Sequence, residues 1–240
     1  MSTDSERFIR TSMLITDAGL NQLKHSTVAV CGLGGVGSYA AEALARSGVG
    51  ELIIIDCDPV EASNINRQLP ALCSTVGLLK TDIMKERILD INPDIKITAL
   101  NLFLSPQCDP RIFTVCDYIL DAVDNVTAKL WLVETASMLR IPILSAMGCA
   151  NKLNPCLLEI SDIYKTSVCP LCRVMRKELK TRGIDRLTVV YSKEPPIKPV
   201  ACGQTKGNHP APASMIFVPA SAGLLMAQRV ICELADIKNE

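Results

Sequence analysis

Short apolar runs alternate with longer amphipathic stretches over the first 150 residues. Thr27-Val28-Ala29-Val30-Cys31, Glu51 to Asp56 (ELIIID), Lys96 to Leu100, Tyr118 to Asp121 and Ile141 to Ser145 read as strands. The most continuous of these runs, around Val28 and Ile53, suit parallel strands covered on both faces. Ser38 to Arg46, Lys80 to Ile91 and Thr127 to Leu139 read as the helices that such crossovers need. The pattern predicts a Rossmann-like, doubly wound α/β fold, with a mainly parallel sheet and helices on both faces. Residues 1–26 form an N-terminal arm placed to fold over a site, and residues 27–150 form a nucleotide-binding core. Beyond residue 151 two further strands, Leu157 to Ile160 and Leu187 to Tyr191, flank a basic helix, Leu171 to Thr181. A proline- and glycine-rich stretch over 193–213 reads as a surface loop or flap, and Ala220 to Ala235 as a last helix with an apolar face. The expectation is one domain over residues 1–240.

Composition narrows the class. Of 240 residues, 48% are hydrophobic and 21% charged, which excludes a disordered or collagen-like chain. Eleven cysteines are an odd number without framework spacing, so reduced thiols in a cytoplasmic protein are expected. The acidic start carries no apolar leader, and no uninterrupted apolar run reaches the roughly 18 residues of a membrane span; no membrane association is expected. Twenty-five Lys and Arg cancel twenty-five Asp and Glu, which argues against indiscriminate polyanion binding. Yet residues 165–206 hold ten bases against three acids, a local charge of +7. Such a stretch attracts a nucleic-acid backbone, or is simply a solvated helix face.

Chemistry concentrates at strand ends. Gly32-Leu33-Gly34-Gly35-Val36-Gly37 is a G-x-G-x-x-G run between a strand and a helix. Bare backbone there approaches phosphates and aims amide N–H groups at negative charge. Asp56 ends the second strand 19 residues after Gly37, where a carboxylate binds ribose hydroxyls. The glycine run alone also fits an NAD(P)-dependent oxidoreductase. The residues after Asp56 point elsewhere: Asp58 opens a polar stretch that includes Ser63-Asn64-Ile65-Asn66-Arg67-Gln68, and Lys80 begins the next helix. A triphosphate needs more positive charge than a dinucleotide, and Arg67 with Lys80 would supply it. Singly, each is also an ordinary loop arginine or helix-start lysine. Asp121-Ala122-Val123-Asp124-Asn125 ends the fourth strand at the sheet's ligand-binding edge. Asp124 there holds Mg²⁺ or caps the following helix. Lys129 reaches phosphate or faces solvent, and Trp131 is core. The single pair Cys169-Pro170-Leu171-Cys172 supplies half of a tetrahedral zinc set, so no zinc is expected. Cys202 and His209, in the flap, read as an ordinary loop thiol and loop histidine, with no base or orienter identifiable nearby.

Taken together, the glycine run, Asp56, S-N-x-N-R-Q (Ser63 to Gln68), Gly77-Leu78-Leu79-Lys80 and D-x-x-D-N (Asp121 to Asn125) resemble the adenylation domain of the ThiF/MoeB-like superfamily, related to ubiquitin-activating enzymes. The resemblance implies ATP and Mg²⁺ as ligands: Asp56 on the ribose, Asn66, Arg67 and Lys80 on the phosphates, Asp124 on Mg²⁺. Arg7-Phe8-Ile9-Arg10 is similar to the family's R-Y-x-R-Q, which implies that Arg10 reaches ATP in the partner of a homodimer; Thr11 stands where the family has Gln. Val76 to Lys80, Ile91-Asn92-Pro93, Lys165 to Leu171 and Val190 to Glu194 resemble the tRNA threonylcarbamoyladenosine dehydratase branch. That branch implies adenylation of the threonylcarbamoyladenosine carboxylate in tRNA, then ring closure with loss of AMP. Activation of a sulfur-carrier protein's C-terminus is the alternative within the superfamily. A sulfur-transfer partner and a monovalent cation are further candidates.

Overall fold

The computed structural model describes residues 6–198, 200 and 212–237, with the backbone of Thr205–Lys206 and His209–Pro210. Seven strands build the main sheet: β1 (Thr27–Cys31), β2 (Glu51–Asp56), β3 (Lys96–Asn101), β4 (Tyr118–Asp121), β5 (Ile143–Ala146), β6 (Leu158–Asp162) and β7 (Thr188–Ser192). Their order is β3-β2-β1-β4-β5-β7-β6, parallel throughout except that β6 runs antiparallel to β7. The order reverses direction between β1 and β4, which opens a crevice at the carboxyl edge of the sheet.

Alternation along the strands divides the core in two. Val28, Val30, Leu52 and Ile54 point to one face, and Ala29, Cys31, Ile53 and Ile55 to the other, all of them buried. On the first face lie α1 (Ile9–Lys24), α2 (Gly37–Ser47), α3 (Lys80–Ile91) and α6 (Phe217–Leu234), which bring in Leu23, Leu44, Met84 and Met226. On the second lies α4 (Val126–Leu139), whose Leu132 and Trp131 pack beside Phe113. Trp131 is therefore core, as its helical position suggested. A third cluster joins α4 to α5 (Pro170–Thr181) through Val133, Cys172 and Met175.

Among the described residues α6 alone is long and apolar enough to cross a bilayer by length and composition. Seven of its residues are buried, and a Cβ on Gly223 would lie 2.2 Å from the Val36 carbonyl, so α6 belongs to the core against the glycine loop. It starts at Phe217 rather than Ala220, because Pro219 lies in the first turn, where its missing N–H had no helical partner to lose. Similarly β5 starts at Ile143 and not Ile141, since Arg140, at φ 58°, closes α4 and Pro142 lacks an N–H for the ladder.

The arm folds differently from expectation. Residues 9–24 are helical, broken by a kink at Thr16 (φ 65°). Phe8 is buried near Gly48, and Arg7 binds the side chains of Asn92 (3.0 Å) and Asp94 (3.1 Å). Gly48, Asn92 and Asp94 precede β2 and β3, so this contact seals the amino edge of the sheet. Among the described residues of the arm, 6–26, none lines the carboxyl-edge cavity of its own chain.

Candidate nucleotide-binding site

A cavity of about 520 Å³ fills the crevice between the ends of β1, β2, β4 and β5. Its floor is the glycine loop, and the four glycines do separate work. Gly32 has φ 90°, and a Cβ there would meet the Ala122 carbonyl at 2.8 Å; a Cβ on Gly37 would lie 1.8 Å from the Gly32 carbonyl. Those two permit the turn. Gly34 faces open space, its nearest would-be neighbour being Gln68 at 3.9 Å, so it leaves backbone exposed to a ligand. Gly35 is backed by Pro219 and Arg67.

Asp56 closes the loop from the side. One carboxylate oxygen accepts from Leu33 N–H at 2.6 Å and the other from Asp58 N–H at 2.8 Å. Buried Lys80 places its ammonium 3.0 Å from Asp58 and 3.6 Å from Asp56. Beyond Asp56, Leu102, Phe103 and Leu104 come after β3 and form, with Ile55 and Val123, an apolar shelf suited to a planar base.

Arg67 enters from the loop after β2. Its Nη1 donates to the Ser63 carbonyl (2.9 Å) and to Asn66 Oδ1 (2.9 Å), while Asn66 Nδ2 donates to the Ser214 carbonyl (2.8 Å). Gln68 lines the cavity, and its Oε1 is buried without a hydrogen-bond partner. Ser63, Asn64 and Asn66 do not line it. Asn64 instead caps the single 3₁₀ turn Ala62–Asn64, its Oδ1 accepting from Glu61 N–H. The S-N-x-N-R-Q run thus brings Arg67 and Gln68 to the cavity, and its remaining polar residues brace them.

At the opposite lip Asp124 is exposed on the cavity, and Asn125 Oδ1 accepts from Ala128 N–H at 3.1 Å. The N-cap of α4 is therefore Asn125. Lys129 does not face solvent; it stands in the wall of the cavity. It is 1% exposed, with its ammonium 3.0 Å from each oxygen of fully buried Asp121 and 2.7 Å from the Ala146 carbonyl. This pair is a strut beneath the site. Arg10 is exposed on α1 and lies outside the cavity.

Residues 8–240 match the ThiF family. The chain belongs to that family. It is 43% identical over 239 residues to the tRNA threonylcarbamoyladenosine dehydratase of Bacillus subtilis, covering 95% of this chain and 94% of that one. Among solved structures it is similar to the tRNA N6-threonylcarbamoyladenosine dehydratase TcdA of E. coli, in complex with AMP, at TM-score 0.90 and 30% identity, over 98% of this chain and 96% of that one. The ATP complex of the same E. coli enzyme matches at TM-score 0.89 and 30% identity, with the same coverage.

The cysteine pair stands behind the cavity wall. Cys169 and Cys172 sit at the start of α5 behind Gly148 and Leu171 of the cavity wall, and both are buried. The Cys172 thiol donates to Cys169 and holds it down to about 5, against the cost of burial and with help from the N–H groups of Cys172, Gly148 and Leu171; Cys172 itself is pushed up by the same contact. Among the described residues no thiol joins this pair in a four-ligand set. Cys202 lies outside the described residues, and only the backbone of His209 is described.

The basic segment also separates into parts. Arg176 holds the carbonyls of Ile163 and Thr166, Arg182 pairs with Glu134 and Glu178, and Lys193 pairs with Glu159. Lys165, Arg173, Lys177 and Lys180 remain exposed. The last three are spaced i, i+4, i+7 and so form one stripe on α5. What sequence reading missed, besides the Lys129 strut, is the strip Pro212 to Ser214 at the cavity rim. Its pairing with Asn66, 148 residues away, has no local signal.

Proposed function

We propose that this protein is an ATP-dependent tRNA threonylcarbamoyladenosine dehydratase. The observation that carries the reading is a single cavity in which bare glycine backbone, Asp56, Arg67, Lys80 and Asp124 converge, in a chain 43% identical to a dehydratase along nearly its whole length. ATP lies with its base on the Phe103 shelf, its ribose against Asp56, and its phosphates over Gly34 and Gly35 toward Arg67 and Lys80. Lys80 then exchanges part of its contact with Asp58, whose side chain is 65% exposed to water, for a phosphate oxygen.

Asp124 fits Mg²⁺, which takes one or two carboxylates with phosphate oxygens and waters. It is an exposed carboxylate on the cavity, and the N-cap of α4 is Asn125. Held by Asp124, Mg²⁺ would supply positive charge to the departing pyrophosphate.

The threonyl carboxylate of the modified nucleoside attacks the α-phosphorus. An O–P bond forms to give the acyl-adenylate, and the bond to the β-phosphate breaks, releasing pyrophosphate. Arg67 and Lys80 stabilise the charge that gathers on the leaving oxygens. The neighbouring carbamoyl oxygen or nitrogen then attacks the activated carbonyl carbon, AMP departs with the acyl oxygen, and the nucleoside has lost the elements of water. Ring closure is intramolecular, so holding the two groups together supplies much of the acceleration and no enzyme thioester is required.

The tRNA reaches the cavity beside α5, whose Leu171 lines the wall and whose stripe of Arg173, Lys177 and Lys180 leads away from it. In a homodimer, Arg10 is available to the partner's nucleotide and not to its own. The test is incubation with ATP, Mg²⁺ and tRNA carrying threonylcarbamoyladenosine, then mass spectrometry of nucleosides and nucleotides. Loss of one water from the nucleoside with stoichiometric AMP is expected. Pyrophosphate exchange stimulated by a sulfur-carrier protein, with no mass loss on tRNA, would replace the reading with carrier activation.

A further inference from the structure

Asn151 comes directly after the cavity wall Gly148-Cys149-Ala150 and adopts φ 60°, a left-handed conformation that asparagine tolerates better than most side chains. From that position it makes three bonds to a distant part of the chain. Its N–H donates to the Ala213 carbonyl at 2.7 Å, its Oδ1 accepts from Ala213 N–H at 2.8 Å, and its carbonyl accepts from Ile197 N–H at 2.8 Å. One residue thus clasps both Ile197 and Ala213. The neighbouring backbone is held rigid by buried Lys152, which donates to the carbonyls of Ser192 and Glu194, and by the Glu194 carboxylate, which accepts from Leu153 and Asn154 N–H.

The clasp continues to the phosphate end of the site. Ser214, next to Ala213, accepts from Asn66 Nδ2, and Asn66 Oδ1 accepts from Arg67 Nη1. Fixing Ala213 therefore fixes the acceptor that orients the Asn66 amide, and that amide, together with the Ser63 carbonyl, aims the guanidinium. We infer that Asn151 is a positioning residue for the nucleotide site, acting through Ala213, Ser214 and Asn66 on Arg67. Like the functional reading it rests on, the inference takes Arg67 as a phosphate ligand. Asn151 itself touches no substrate, and its effect falls on how well Arg67 is pre-aligned.

The clean perturbation is Asn151→Gly, since glycine accepts the left-handed backbone and keeps both main-chain bonds while losing the carboxamide. Asn151→Asp keeps the Oδ acceptor and is the rescue. We expect Asn151→Gly to lower kcat/KM for ATP about tenfold, the scale of one positioned hydrogen bond, and Asn151→Asp to stay within about twofold of wild type. Added to Asn66→Ala, Asn151→Gly should cost little more, because the two act in one chain of contacts. Wild-type kcat/KM in Asn151→Gly, an equal loss in Asn151→Asp, or full additivity with Asn66→Ala would overturn the inference. Calorimetric titration with ATP and Mg²⁺ separates this from the parent reading. If the wild-type protein binds ATP but forms no AMP from modified tRNA, the function falls, and the affinity ranking of the same variants still decides the role of Asn151.

Discussion

Lys129→Met probes the strut beneath the site. The substitution keeps the length of the side chain and removes the ammonium, which lies 3.0 Å from both oxygens of Asp121 and 2.7 Å from the Ala146 carbonyl. With Lys129 1% and Asp121 0% exposed, no water replaces it. Asp121 then retains only the Val123 N–H at 3.2 Å, and beside it in the sheet register stands Ser145, whose buried hydroxyl already lacks a partner. Breaking a buried pair by removing one member costs about 3–5 kcal/mol. For a chain of this size each kcal/mol shifts the melting temperature by roughly 2–4 °C, so a fall of about 6–20 °C is expected. Circular dichroism at 222 nm, at one scan rate and one pH, measures it. The double variant Asp121→Asn/Lys129→Met, which removes both charges, should recover more than half of the loss. If Lys129→Met melts within about 2 °C of wild type, the reasoning is wrong. If it also abolishes AMP formation, Lys129 is a ligand contact and not a strut.

Arg67→Ala should reduce AMP formation about 10²-fold or more at an unchanged melting temperature, the scale of losing one charged group aimed at developing charge. Unchanged turnover would remove Arg67 from the site. Gly34→Ala and Gly37→Ala should part company: the first folds normally and weakens ATP binding, measured by calorimetry, whereas the second gives little soluble protein because its Cβ would lie 1.8 Å from the Gly32 carbonyl. Cys169→Ser tests the thiolate at the start of α5. Because Cys169 is held down to about 5 from an ordinary 9.0, the folded protein binds fewer protons than the unfolded chain between those values. The stability gap between wild type and Cys169→Ser should therefore widen as pH rises from 5 to 9 and level off below 5; a pH-independent gap would show that the thiol is neutral. Replacing Arg173, Lys177 and Lys180 together by Gln should weaken tRNA binding and lower the slope of log affinity against log salt by up to about 3, leaving ATP affinity intact. An unaltered slope would move the tRNA to another face.

The pattern of apolar runs determined most of the fold. Continuous apolar runs in a sheet covered on both faces leave a local signature, so the strands at Thr27, Glu51 and Tyr118 begin and end where the pattern places them, as does the helix at Lys80. The glycine run, Asp56 and Asp124 were legible because each stands next to a strand end, and strand ends of one parallel sheet meet at one edge; Arg67 and Lys80 were legible from the polar motif and helix start that follow β2. Elements whose geometry depends on distant partners were not legible. Residues 9–24 fold as a helix kinked at Thr16, and the preceding Arg7 ties the arm to the amino edge through Asn92 and Asp94.

Charge was the least local property of all. A zero total conceals +7 over residues 165–206, yet only the folded chain shows that Arg176, Arg182 and Lys193 are engaged within the protein, while Arg173, Lys177 and Lys180 face outward together. Likewise Lys129 reads as a helix lysine, and only burial against Asp121 makes it a strut. Sequence determined which residue types stand at the sheet's carboxyl edge, because backbone periodicity is a near-neighbour property. Tertiary structure decided which of them face the ligand and which brace the others, because side-chain partners such as Asn66 with Ser214 or Asn151 with Ala213 are chosen by packing across the whole chain.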